Sequence, residues 1–150
     1  MNSEKEATRY VWPVIAILAL VLIVFGSGEL SMTEFVANYL LEMYHSPSTM
    51  KSLDEGTVAS FNQFIRSTAI YTIWFGIIGL FCAWGLKRKE NFAWKLGVLW
   101  SVLVIATGVL IAGQQIFIAN WSTICPTAIV HLTVGSIALV AILAIKKEFT

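Results

Sequence analysis

A chain of 150 residues that is 57% hydrophobic and only 13% charged, with a mean hydropathy of +0.76, lies far from the balance of a soluble domain. Its net charge of +1 excludes a nucleic-acid-binding surface, which needs Lys and Arg clustered on one folded face. Four apolar stretches leave no room for a soluble catalytic domain, so residues 1–150 are expected to form a single integral membrane domain.

The first stretch runs from Val11 to Phe25 and on to about Leu30, close to the roughly 20 residues a helix needs to cross the hydrocarbon. Its N-terminal position, with Gly26 and Gly28 following, also fits a cleaved signal peptide. The flank Met1–Tyr10 carries Glu4 and Glu6 beside Lys5 and Arg9, which argues against that alternative.

An outer segment, residues 31–66, follows. In it Phe35, Val36, Tyr39, Leu40, Met43 and Tyr44 recur at helical spacing from a Thr33 suited to cap the start. This predicts an amphipathic helix ended by His45-Ser46-Pro47. Ser52 and Glu55 make a capping-box pattern, so the second membrane helix is expected to begin well outside the bilayer.

The remaining spans are 67–86, 92–117 and 127–145. Lys87-Arg88-Lys89-Glu90-Asn91 joins the second and third, and Ala119 to Pro126 joins the third and fourth. Turns this short make sequential helices antiparallel neighbours. Helices two to four are therefore expected to form a compact consecutive unit. Small residues for close helix contact are present on each, among them Gly76, Gly79, Gly97, Ser101, Gly108, Ala128 and Gly135. They serve packing within the chain, a homo-oligomer, or docking to another membrane protein. The fold class is an all-α four-helix transmembrane bundle with an additional outer amphipathic helix.

Basic residues fix the expected orientation, since cytoplasmic flanks retain Lys and Arg. With both termini inside, eight of the ten lie on the inner side, and only Lys51 and Arg66 lie outside. The outer segment sets those two against Glu29, Glu34, Glu42, Asp54 and Glu55, a charge of about −3. Tyr10, Trp12, Trp84 and Trp94 fall at the inner interface and Trp121 at the outer one, as aromatic anchors do.

Polar residues within a membrane domain are costly, so their placement points to function. Glu29, Glu34, Asn62, Arg66, Gln114, Gln115 and His131 all fall in the outer leaflet or just beyond it, and form the candidate ligand pocket. Arg66 either snorkels to the headgroups or pairs with Glu29 or Glu34, with Asn62 one turn away on the same face. His131 needs a partner in Gln114, Gln115 or a hydroxyl, or else transfers a proton or contacts a ligand. Haem ligation would need a second histidine at matching depth, and His45 lies in the outer segment. Met32, Met43, His45 and Met50 suit copper by softness but not by spacing, so no metal and no cofactor is assigned. Cys82 and Cys125 lie most of a membrane apart on this topology, beyond disulfide reach. Asn120-Trp121-Ser122 matches a glycosylation sequon, but so short a pattern beside a helix end is expected to be accidental. No HExxH, CxxC, phosphate loop or serine nucleophile motif occurs, and the catalytic residues of any reaction are unknown.

From Arg66 to Trp94 the run Arg-Ser-Thr-Ala-Ile-Tyr, then Gly76-Ile-Ile-Gly79-Leu80, Gly85-Leu86-Lys87-Arg88 and Phe92-Ala93-Trp94 resembles small four-helix prokaryotic membrane proteins of the DoxX-like and unknown-function kind. The resemblance covers about half the chain. It implies the fold, the topology and a prokaryotic cell membrane, but no reaction. The leading expectation is an accessory or ligand-binding subunit that binds a small molecule, a lipid or a partner subunit. A membrane enzyme acting on a lipid or quinone through a Glu and His acid–base pair, and an oligomeric transporter, are the alternatives.

Overall fold

The computed structural model describes residues 7–44, 55–119 and 126–149. In these the chain forms five α-helices and a short 3-10 helix, and no strand. They are α1 (Ala7–Ser31), α2 (Thr33–Tyr44), α3 (Glu55–Lys87), α4 (Asn91–Ala119), α5 (Pro126–Ala144) and the 3-10 turn Lys146–Glu148. All of these helices except α2 are long and apolar enough to cross a membrane, which makes the chain a multi-pass membrane protein. At 33 residues, α3 is about 50 Å long and exceeds the roughly 30 Å hydrocarbon thickness, so its start projects beyond the bilayer.

Packing is not the consecutive three-helix unit that the short turns suggest. The most extensive contact is between α1 and α3, the next between α4 and α5, and the α3–α4 hairpin is joined more sparingly. The reason lies in the glycines, which place two helix backbones against each other where no Cβ intervenes. A Cβ built on Gly26 would sit 2.8 Å from the Ala69 carbonyl and 3.1 Å from the Ile73 nitrogen. One on Gly76 would sit 2.7 Å from the Ala19 carbonyl and 3.0 Å from the Ile23 nitrogen. The two contacts are reciprocal, as an antiparallel pair requires.

The second pair repeats the device. A Cβ on Gly135 would meet the Ile105 nitrogen at 2.9 Å and the Ser101 carbonyl at 3.0 Å, and one on Gly108 would meet the Leu132 nitrogen at 3.0 Å. All four helices thus carry one pattern, a small residue, Ile or Leu four positions on, and Gly three further: Ala19, Ile23, Gly26; Ala69, Ile73, Gly76; Ser101, Ile105, Gly108; Ala128, Leu132, Gly135. The likeness extends along α3 and α5. Thr68-Ala69-Ile70, Gly76, Ile78, Leu80 and Lys87 match Thr127-Ala128-Ile129, Gly135, Ile137, Leu139 and Lys146 at constant spacing. Trp12 of α1 likewise matches Trp94 of α4. The bundle is two antiparallel pairs built on one repeated unit, with α2 inserted in the first.

The buried apolar core lies in the half nearer the termini, where Ile15, Leu86, Ala93, Trp100, Ile142 and Ile145 pack together. Gly79 admits the Trp100 ring, whose Nε1 donates to the Phe75 carbonyl at 2.7 Å. At the same end the amide and hydroxyl of Thr8 both donate to the Glu148 carboxylate, so the last turn of the chain caps the first helix. Lys87 stands over the Trp12 ring at 5.0 Å and Arg88 over Trp84 at 3.9 Å. The α3–α4 turn closes with Glu90 N bonded to the Gly85 carbonyl and Lys89 N to the Leu86 carbonyl. Lys89 stands at φ 58, the left-handed position that a glycine usually takes in this motif.

At the far end α2 departs from expectation in two ways. Met32 N still bonds to the Gly28 carbonyl, so α2 follows α1 with scarcely a break. The Thr33 hydroxyl does not cap α2; it donates back to the carbonyls of Glu29 at 3.1 Å and Leu30 at 2.9 Å. The face turned inward is Val36 and Ala37, packed on Phe61 and Ile65 of α3. Phe35 (65% exposed) and Tyr39 (51%) point outward instead, stacked with ring centroids 6.5 Å apart. An apolar stripe does not say whether protein or lipid covers it. The side chains of Leu40, Met43 and Tyr44, and residues 45–54, lie outside the described residues.

Candidate functional site

Where the pairs meet, a chain of polar contacts links α1, α5 and α3. Glu29 sits in the last turn of α1, only 7% exposed. Its Oε1 accepts a hydrogen bond from the Thr127 hydroxyl in the first turn of α5. One turn further on, His131 is fully buried, and its Nδ1 donates to the Thr127 carbonyl at 2.8 Å. Its Nε2 lies 3.3 Å from the Thr72 hydroxyl of α3, which in turn donates to the Thr68 carbonyl at 2.9 Å. The Phe75 ring meets the imidazole edge-on, centroid to centroid 6.3 Å.

Thr72 and His131 occupy equivalent positions in the repeated unit, each three residues after its Ala and each bonded to the carbonyl four residues back. The contact between them therefore joins the two pairs through like positions. It serves either protonation state of the imidazole. With Nδ1–H committed to a carbonyl, a neutral ring accepts from the Thr72 hydroxyl, and a charged ring donates to it while the hydroxyl turns to Thr68.

Thr127 holds Glu29 and His131 through different groups, its hydroxyl and its carbonyl. The arrangement is a structural tie, not a proton wire. Both ring nitrogens of His131 are occupied, and within this set of contacts Glu29 Oε2 is the atom that is buried with no hydrogen-bond partner among the described residues. A buried unpaired acceptor costs about 1–3 kcal/mol, more if charged. Asn62 Oδ1, on α3 toward the same end, is the other buried side-chain oxygen without a partner among the described residues.

The remaining predicted residues divide clearly. Glu34 and Arg66 are exposed, and among the described residues no ion pair joins Arg66 to Glu29 or Glu34. The side chains of Gln114 and Gln115 lie outside the described residues, as do His45, Met50 and Cys125. Cys82 is buried and free. Among the described residues no three His, Cys, Asp or Glu come together as metal ligands would. The threonines 72 and 127 escaped sequence reasoning because a hydroxyl in an apolar helix is usually satisfied by its own backbone, as in Thr68 and Thr107. The available signal was their spacing, one at the position equivalent to His131 and one a turn before it.

Compared with protein-family models, characterised proteins and solved structures, the chain matches none of them.

Proposed function

We propose that this is a non-enzymatic accessory or ligand-binding membrane protein in which Glu29 Oε2, at the end of the bundle away from the termini, receives a hydrogen bond from a bound molecule or a partner subunit. The observation that carries this is the burial of a carboxyl with one oxygen satisfied and the other without a partner among the described residues, since buried polar groups are otherwise paired. The distribution of Lys and Arg supports cytoplasmic termini and an outer-leaflet site. The enzymatic alternative needs Glu29 and His131 free to converge on a substrate as acid and base. With both His131 nitrogens engaged inside the protein, the binding role is the better supported.

Native mass spectrometry of protein extracted in polymer nanodiscs tests the reading. A molecule or subunit retained above its abundance in the surrounding membrane, and lost from Glu29→Gln but not from Glu34→Gln, is the expected outcome. Identical spectra for wild type and Glu29→Gln would dismiss it.

A further inference from the structure

The antiparallel register of α1 on α3 does not stop where α1 ends. Ala19 lies against Gly76 and Gly26 against Ala69, and the same order continues with Val36 and Ala37 of α2 against Phe61 and Ile65 of α3. Met32 N bonds to the Gly28 carbonyl at 3.0 Å and Val36 N to the Met32 carbonyl at 2.9 Å, so the helical ladder runs through the junction. α2 therefore runs alongside the start of α3 instead of folding across the bundle. Thr127, in the first turn of α5, is bonded to Glu29, so α2 lies beyond the start of α5 in a two-helix arm. The uncharged run of α3 between Arg66 and Lys87 spans about 30 Å, which matches the hydrocarbon thickness. Ile65 and Phe61, with the α2 residues packed on them, lie at and beyond its edge.

The outward face of this arm has two parts. Met32, Phe35 and Tyr39 are exposed and fall within about 60° of one another around the helix, with the two rings stacked. Glu34, Asn38 and Glu42 fill the adjoining exposed sector, and α2 carries no Lys or Arg. An exposed apolar stripe leading away from the hydrocarbon marks an interaction surface, and the carboxylates beside it select what covers it. A second copy, held in the same orientation by the bilayer, would set Glu34 and Glu42 against their own counterparts. Anionic headgroups would be repelled by both. We propose that this face docks a basic amphipathic helix of another protein, its apolar residues on Met32, Phe35 and Tyr39 and its Lys or Arg on Glu34 and Glu42. The i, i+3, i+7 spacing of the stripe is the one by which helices anchor one another, and the charges fix the partner's sign. This surface is separate from Glu29, and the two readings stand or fall independently.

The probe is a short fluorescent peptide of Leu and Lys patterned as an amphipathic helix, with a Leu and Glu peptide of the same pattern as its counterpart. Both are added to the full chain in phosphatidylcholine nanodiscs. Wild type should bind the Lys peptide above the level of empty nanodiscs and should not bind the Glu peptide. Glu34→Gln with Glu42→Gln should weaken binding about tenfold, the scale of two exposed ion pairs, and added salt should do the same. Phe35→Ser with Tyr39→Ser should abolish it. All four positions are exposed, so both variants should keep the wild-type Tm. Binding no greater than to empty nanodiscs, or unchanged by the loss of Glu34 and Glu42, overturns the proposal. A wild-type dimer lost in Phe35→Ser with Tyr39→Ser would assign the stripe to a second copy. Quenching of a bimane on Tyr39→Cys, in a chain without other cysteines, by brominated phosphatidylcholine chains would assign it to lipid. Either assignment overturns the proposal as well.

Discussion

Replacing Gly76 by Ala puts a methyl group 2.7 Å from the Ala19 carbonyl and 3.0 Å from the Ile23 nitrogen. Both are backbone atoms of a packed helix, so neither can rotate aside. Ordinary contact begins near 3.4 Å, and α1 and α3 must therefore part by several tenths of an ångström along their most extensive interface. Overpacking of this kind costs about 1–3 kcal/mol, and relief of the glycine helix penalty returns roughly 1 kcal/mol. Gly76→Ala should therefore lose up to about 2 kcal/mol. Gly28→Ala supplies the control, because nothing lies within 4 Å of its added Cβ, and it should gain about 0.5–1 kcal/mol from helix propensity alone. Gly26 and Gly76 clamp the same pair of helices, so once one methyl has parted them the second costs less. The double variant Gly26→Ala with Gly76→Ala should fall short of additivity, whereas Gly76→Ala with Gly135→Ala, in different pairs, should be nearly additive. Reversible unfolding in mixed detergent micelles, followed by tryptophan fluorescence, measures all of these. A Gly76→Ala variant as stable as Gly28→Ala would refute the backbone-contact account.

Further outcomes follow from single contacts. Lys89 stands at positive φ, so Lys89→Gly should raise stability by about 1 kcal/mol in the same unfolding assay. Glu148→Ala removes the cap on Thr8 and should cost about 0.5–2 kcal/mol, with faster amide exchange confined to the first turn of α1. His131→Gln should fold and lose only about 1 kcal/mol, since interhelical bonds of this kind average roughly 0.6 kcal/mol, and should keep any Glu29-dependent ligand; loss of ligand in a folded His131→Gln would return the histidine to the binding site. A single cysteine at Asn91, in a chain with Cys82 and Cys125 replaced, should resist an impermeant maleimide on intact cells while one at Ser46 reacts. The reverse labelling would invert the orientation.

Much of the architecture is legible in the amino-acid order because a bilayer imposes a length and an apolar composition on each span. The turn at residues 88–90 and the long α3 follow from the same reading. Three features are not legible this way. Phe35 and Tyr39 form an apolar stripe whether they face α3 or lipid, and only the close fit of Ala37 on Ile65 decides which face turns inward. The pairing of α1 with α3, across the longest connection, depends on where glycines meet, and the repeated unit is masked by interchangeable apolar residues between its fixed positions. The candidate site was half visible: Glu29 and His131 stand out as polar groups in apolar helices, but the threonine that ties them does not. Arg66, the most conspicuous charge at that end, is exposed.

A structure of the protein in native-lipid nanodiscs tests most directly whether Glu29 Oε2 is reserved for a partner from outside the chain. The expected result is non-protein density, or a side chain of another subunit, within about 3 Å of Oε2, with Oε1 still receiving the Thr127 hydroxyl. A donor from the chain itself at Oε2, such as the Gln114 amide, would refute the proposed binding role.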